Sequence, residues 1–130
     1  MRRPKILMEI TKEDTGYSAN ALVAGNFIGT EGETFEELKT NILEAVNLAF
    51  ADKGFVYKIA EIKYTYDMAS FFAFYKVINA KALSERIGMN QSLLAQYIKG
   101  IKKPSIHQTQ RILFGVQQIG RELAEIRFLF

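Results

Sequence analysis

The hydrophobic period changes once along this chain, and that change constrains the fold more than any other feature. Through Tyr66 most apolar residues alternate with polar ones, as in half-buried strands; from Asp67 onward they recur every three or four residues, as on helices. The pattern predicts an α+β chain with a sheet-bearing domain over residues 1–66 and an all-α domain over 67–130. "KILMEITK" sets Ile6, Met8 and Ile10 on one face and predicts a first strand. "GYSANALVAGNFIG" predicts two more, with bends at Asn20 and at Gly25-Asn26. In "TEGETFEEL", Thr34 is the expected N-cap and Glu37 completes a capping box. The helix it opens carries the stripe Phe35, Leu38, Ile42, Ala45, Val46 and Ala49 and should stop near Gly54. "FVYKIAEIKYTY" alternates again and is the expected last strand, which gives the order β-β-β-α-β.

In the second half, "SFFAFYKVI" is apolar nearly all round and predicts a buried helix containing Phe71, Phe72, Phe74 and Tyr75. "NAKALSERIGMNQSLLAQYI" divides at Gly88, where glycine permits the left-handed backbone of a tight turn between helices. Ser84, four positions earlier, is small enough for the second helix to cross closely, and Leu83, Ile87, Leu94 and Tyr97 supply the packing. This is a helix-turn-helix pattern and resembles the phage-repressor type. On its second helix Asn90, Gln91, Ser92, Ala95 and Gln96 are the expected base-reading positions, since side-chain amides pair with the adenine edge in the major groove. Lys99, Lys102 and Lys103, in and beside "GIKKPS", are the expected phosphate contacts, with Lys76, Lys81 and Arg111 as weaker ones. A polar helical hairpin that binds protein is the alternative. The following helix should be capped by Ser105 and packed through Ile112, Val116, Ile119 and Leu123. The terminal "AEIRFLF" reads either as a strand for a partner or as a frayed tail.

Charge divides with the period. Residues 1–66 hold eight Lys/Arg against ten Asp/Glu, net −2, and residues 67–130 hold nine against four, net +5. The second half is the one suited to a polyanion. With no cysteine and His107 as the single histidine, the usual zinc-ligand sets and Cys-His catalysis are out of reach within one chain. Glu31, Glu33, Glu36 and Glu37 crowd one turn, but a helix start accounts for them without a metal. We expect no catalytic site, no metal and no cofactor. No apolar run approaches membrane-spanning length, so a cytoplasmic protein with no membrane partner is expected.

"GYSANALVAGNFIGTEGETFEELKTNILEAVNLAF" resembles the HicB antitoxin signature, in which a Gly-Tyr strand precedes a Gly-small-acidic-Thr turn and a helix with Glu-Glu-Leu or Glu-Ala. Residues 5–66 cover that domain, and residues 68–126 resemble the helix-turn-helix appended in one branch of the family. "NALVAGNFIG" departs from the pattern, standing where many relatives carry a proline-rich segment. The resemblance implies a degenerate ribonuclease-H-like sheet that binds and neutralises a HicA-type, RNA-cleaving toxin. It also implies an operon repressor that binds operator DNA; a homodimer or higher oligomer is expected because a single recognition helix offers few base contacts and such repressors bind paired half-sites. The alternative is a stand-alone helix-turn-helix regulator whose first domain senses a small ligand.

Overall fold

The structure, a computed structural model, describes residues 2–129. It is a mixed α+β chain in which one compact unit ends at Phe74 and a second begins at Tyr75. The first unit contains a four-stranded sheet in the order β3-β2-β1-β4, with β1 Ile6–Lys12, β2 Tyr17–Val23, β3 Asn26–Gly32 and β4 Ile62–Tyr66. β1, β2 and β3 pair antiparallel, and β4 returns parallel to β1 with Ile6 opposite Ile62. Alternation decides which face is covered: Ile6, Met8, Ile10, Ala19, Ala21, Val23, Ile28 and Ile62 are buried. Helix α1, Phe35–Ala49, lies over this face and presses Leu38, Ile42 and Val46 into it, residues four apart and therefore stacked on one side of the helix. The Thr34 hydroxyl caps α1 by accepting from the Glu37 N–H at 3.1 Å.

Three expectations for this half need correction. Asn20 is not a bend, because it pairs with Glu9 on one side and Gly29 on the other in mid-strand. The bend is the two-residue loop Ala24-Gly25, with Val23 opposite Asn26 and positive φ at both positions, 51° and 84°. This is the backbone sign pattern of a type I′ hairpin, whose twist suits the flanking strands. Residues 55–61 are not strand either. The Asn47 side chain brackets Tyr57, accepting from its N–H at 2.6 Å and donating to its carbonyl at 3.2 Å, so an α1 residue satisfies groups that a sheet neighbour would otherwise take. A 3-10 turn over Ile59–Glu61 follows, and pairing with β1 starts only at Ile62.

The third correction concerns the aromatic helix, α2, Met68–Phe74. It belongs to the first unit, which moves the boundary from 66/67 to 74/75. Ser70 is its fully buried side chain, and the Ser70 Oγ accepts from the Lys12 N–H at 2.8 Å, tying α2 to the end of β1. Phe71, Phe72, Phe74 and Tyr75 are half-buried, and Tyr75 lies beyond the helix. Phe74 stacks on Tyr17 at 4.3 Å between ring centres and meets Phe35 and Tyr66 edge-on at 4.4 and 5.4 Å. Such ring pairs contribute about 0.5–1.5 kcal/mol each beyond burial. With Asp67 now in the first unit, the charges become eight basic against eleven acidic there, and nine against three in the second.

Candidate nucleic-acid interface

The second unit comprises α3 Ala80–Ile87, α4 Gln91–Lys99 and α5 Ile106–Ala124. Each start has a side-chain oxygen accepting an otherwise unpaired N–H: Asn79 from Ala82 at 3.0 Å, Asn90 from Leu93 at 3.1 Å and Ser105 from Gln108 at 3.1 Å. Gly88 follows α3 with φ 68°, the left-handed backbone expected of it. Its N–H donates to the Glu85 carbonyl and the Met89 N–H to the Ser84 carbonyl at 2.9 Å, which closes a Schellman turn. Met89 is buried beside it. Gly100 ends α4 in the same way, with the Ile101 N–H on the Gln96 carbonyl at 3.0 Å. Leu83, Leu94, Tyr97 and Ile112 form the buried interior, and Ser84 lies 1% exposed among the helices. The Ser84 hydroxyl donates to the Lys81 carbonyl at 2.6 Å, so the small residue enters the interior with its polar group satisfied.

This packing turns Gln91, Ser92 and Gln96 outward on α4, all exposed. Ala95 is half-buried. Asn90 is exposed, but its Oδ1 is occupied as the α4 N-cap, which leaves only its Nδ2 for an external acceptor. Lys99 ends α4 and is exposed, as are Lys102 and Lys103 in the following loop. The Lys102 N–H donates to the Gln96 carbonyl at 3.3 Å, so the basic loop is anchored on the helix that carries the amides. Three exposed polar side chains and a fixed cationic loop thus project from one helix and its end. Base edges and phosphates require those two chemistries side by side.

Arg111 differs from its sequence reading as a phosphate candidate. Half-buried on α5, it donates through Nη2 to the carbonyls of Ile87 at 2.8 Å and Gly88 at 3.2 Å, and through Nη1 to Gln108 Oε1 at 2.9 Å. Its partners lie inside the unit. The spacing Gln108-x-x-Arg111 on one helix face was the available signal, but nothing local indicated the α3 carbonyls that the pair would meet. Among the remaining basic candidates Lys76 and Lys81 are exposed. His107 is also exposed. The tail after α5 is coil rather than strand through Leu129; Phe130 lies outside the described residues.

In the first unit Glu31, Glu33 and Glu37 line a cavity of about 430 Å³ with Thr15 and Gly32. No group of three or more His, Cys, Asp or Glu side chains among the described residues is placed to hold a metal ion. The opposite, uncovered face of the sheet exposes Leu7, Leu22 and Phe27 together with Glu9, Glu31 and, opposite Leu7, Lys63. No helix among the described residues is long and apolar enough to cross a membrane. Comparison with protein-family models, with curated proteins and with solved structures gives no match in any of the three.

Proposed function

We propose that the chain is an antitoxin-type repressor of the HicB kind. Its second unit reads operator DNA through α4, acting as a homodimer or higher oligomer in the cytoplasm, and its first unit binds and neutralises a HicA-type, RNA-cleaving toxin. It performs no catalysis and needs no cofactor. The observation that carries the DNA half is the left-handed Gly88 turn, which joins two short helices over buried Ser84, Leu94 and Tyr97 and leaves Gln91, Ser92 and Gln96 outward. Lys99, Lys102 and Lys103 supply charge for phosphate beside them.

The sheet order, with β4 parallel to β1, is compatible with a degenerate ribonuclease-H-like domain. The toxin half is supported by the open sheet face, where Leu7, Leu22 and Phe27 lie with two carboxylates, Glu9 and Glu31, against one lysine, Lys63. A protein that cleaves RNA presents positive charge to phosphate, so an apolar surface edged with carboxylates suits it and steers its approach.

The deciding experiment is a pair of titrations on the protein with Gln91→Ala and Gln96→Ala. One uses the promoter upstream of its own gene, the other the small basic protein encoded beside it. Promoter affinity should fall while toxin affinity stays. Unchanged promoter affinity would show that α4 does not read bases there, equal losses would show that the activities are not separate, and promoter binding with no toxin partner at all would leave a stand-alone regulator.

A further inference from the structure

We propose that Arg111 is a positioning residue for the DNA-reading helix, which sets the direction of α4 by holding the turn that precedes it and makes no phosphate contact. The inference rests on the DNA-reading proposal above. Three residues, Gly88, Met89 and Asn90, connect the end of α3 to the start of α4. Met89 is fixed by burial and Asn90 by its cap on the Leu93 N–H. The peptide joining Gly88 to Met89 therefore governs where α4 points; its N–H is held by the Ser84 carbonyl at 2.9 Å, and its carbonyl is the group that remains to be fixed. Arg111 restrains it from outside.

One nitrogen, Nη2, reaches two successive carbonyls, Ile87 and Gly88, while Nη1 is held by Gln108 from the preceding turn of α5. Those carbonyls form the electron-rich end of α3, where a cation is favoured. The planar guanidinium can meet three acceptors in fixed directions at once; a lysine ammonium on its flexible stem cannot hold that geometry. The clamp is also placed by packing. Gly115, one turn beyond Arg111 on the same side of α5, brings the two helices together so closely that its Cβ position would lie 2.4 Å from Ile87 Cγ2. The ion pair of Arg86 with Glu122, which also links α3 to α5, joins exposed side chains and does not reach the turn.

A phosphate contact and a positioning role make opposite predictions. A phosphate contact adds affinity for every sequence and steepens the salt dependence; a misdirected helix loses its preferred sequence and keeps general binding. The test uses the full chain, a duplex enriched from a random-sequence pool by the wild type, and a base-scrambled duplex. Arg111→Lys keeps the charge and loses the three-way geometry. It should bind the enriched duplex about 10- to 100-fold more weakly, with scrambled-duplex binding and its salt slope unchanged. Gln108→Leu, which frees the guanidinium without altering charge, should lower discrimination in the same direction by a smaller factor. Lys102→Ala serves as the contrast and should weaken both duplexes and flatten the slope.

Circular dichroism and melting of each variant establish that folded protein is compared. Wild-type discrimination in both Arg111→Lys and Gln108→Leu would overturn the positioning role. So would a loss by Arg111→Lys that is equal on the two duplexes. A wild type that enriches no sequence would instead overturn base reading by α4, and the positioning role with it.

Discussion

Gly115 and Ile87 lie so close that a methyl group on the glycine would collide with Ile87 Cγ2 at 2.4 Å and touch Leu83 Cδ1 at 3.4 Å. The β-branched Ile87 has little rotamer freedom to retreat. Alanine at position 115 should therefore destabilise the second unit by about 1–3 kcal/mol, although it gains about 1 kcal/mol in helix propensity. Gly120 on the same helix has nothing within 4 Å of its Cβ position. Gly120→Ala should then stabilise by up to about 1 kcal/mol. Urea denaturation of the two variants, with opposite signs expected, checks this; stabilisation by both would mean that α5 does not approach α3 so closely.

The hairpin offers a second stability test. Ala24 holds φ 51° as the first residue of its two-residue loop, a region that a Cβ disfavours by about 1–2 kcal/mol and that asparagine tolerates better. Ala24→Asn should raise the unfolding midpoint of the first unit. A lowered midpoint would rule out this turn geometry.

Asn90 separates capping from base reading. Asn90→Ala should destabilise by about 1 kcal/mol because it removes the acceptor for the Leu93 N–H. Asn90→Ser keeps an acceptor and should preserve both stability and promoter affinity. If Asn90→Ser keeps stability but loses promoter binding, its free Nδ2 is reading a base.

The boundary at 74/75 can be tested by dissection. A fragment ending at residue 66 lacks Ser70, which accepts the Lys12 N–H, and Phe74, which covers Tyr17, Phe35 and Tyr66. One ending at residue 74 retains them. The longer fragment should show cooperative thermal unfolding and bind the toxin, and the shorter should melt earlier and with lower cooperativity. Identical melts would place α2 outside the first unit.

A modest acid dependence is expected at Glu61. The Lys58 N–H donated to its carboxylate, followed by the nearby charge and hydrogen bond of Arg3, holds its pKa below the ordinary carboxylate value. The native state thus favours the ionised form more than the unfolded chain does. Its contribution is present above the ordinary carboxylate pKa and is lost as pH falls through the lowered one. Glu61→Gln should lower the melting temperature near neutrality and narrow the difference from the wild type in acid; a constant difference across that range would remove Glu61 from the pH response.

Periodicity carried the elements and their order, because strands of one covered face and helices of one buried stripe must write their pattern into the residues. Ile6, Met8 and Ile10 in β1 and Leu38, Ile42 and Val46 in α1 are that pattern. The errors arose where distant groups decide. Residues 55–58 alternate like a strand, yet Asn47 bonds to the Tyr57 backbone. The aromatic helix has no sequence mark saying which unit it joins, since Tyr17, Phe35 and Tyr66 come together around Phe74 only after folding. At the candidate interface, the turn and the outward amides were legible from Gly88, Ser84 and helical spacing. The role of Arg111 was not, because its acceptors are backbone carbonyls more than twenty residues upstream.

The parallel pairing of β4 with β1 sets a difference in timing between the units. Ile6 pairs with Ile62 across two hairpin strands and α1 in the sequence, so the first unit depends on distant contacts, which slow folding. α3 packs against both α4 and α5, all within residues 80–124, so the contacts of the second unit span shorter separations, and such local topologies fold fast. During synthesis the sheet domain therefore emerges first but waits for its last strand and for Phe74. Until then the inward sides of Ile6, Met8 and Ile10 remain open to any hydrophobic surface nearby, which makes this interval the point at which the nascent chain is most exposed to chaperones, proteases and misassembly.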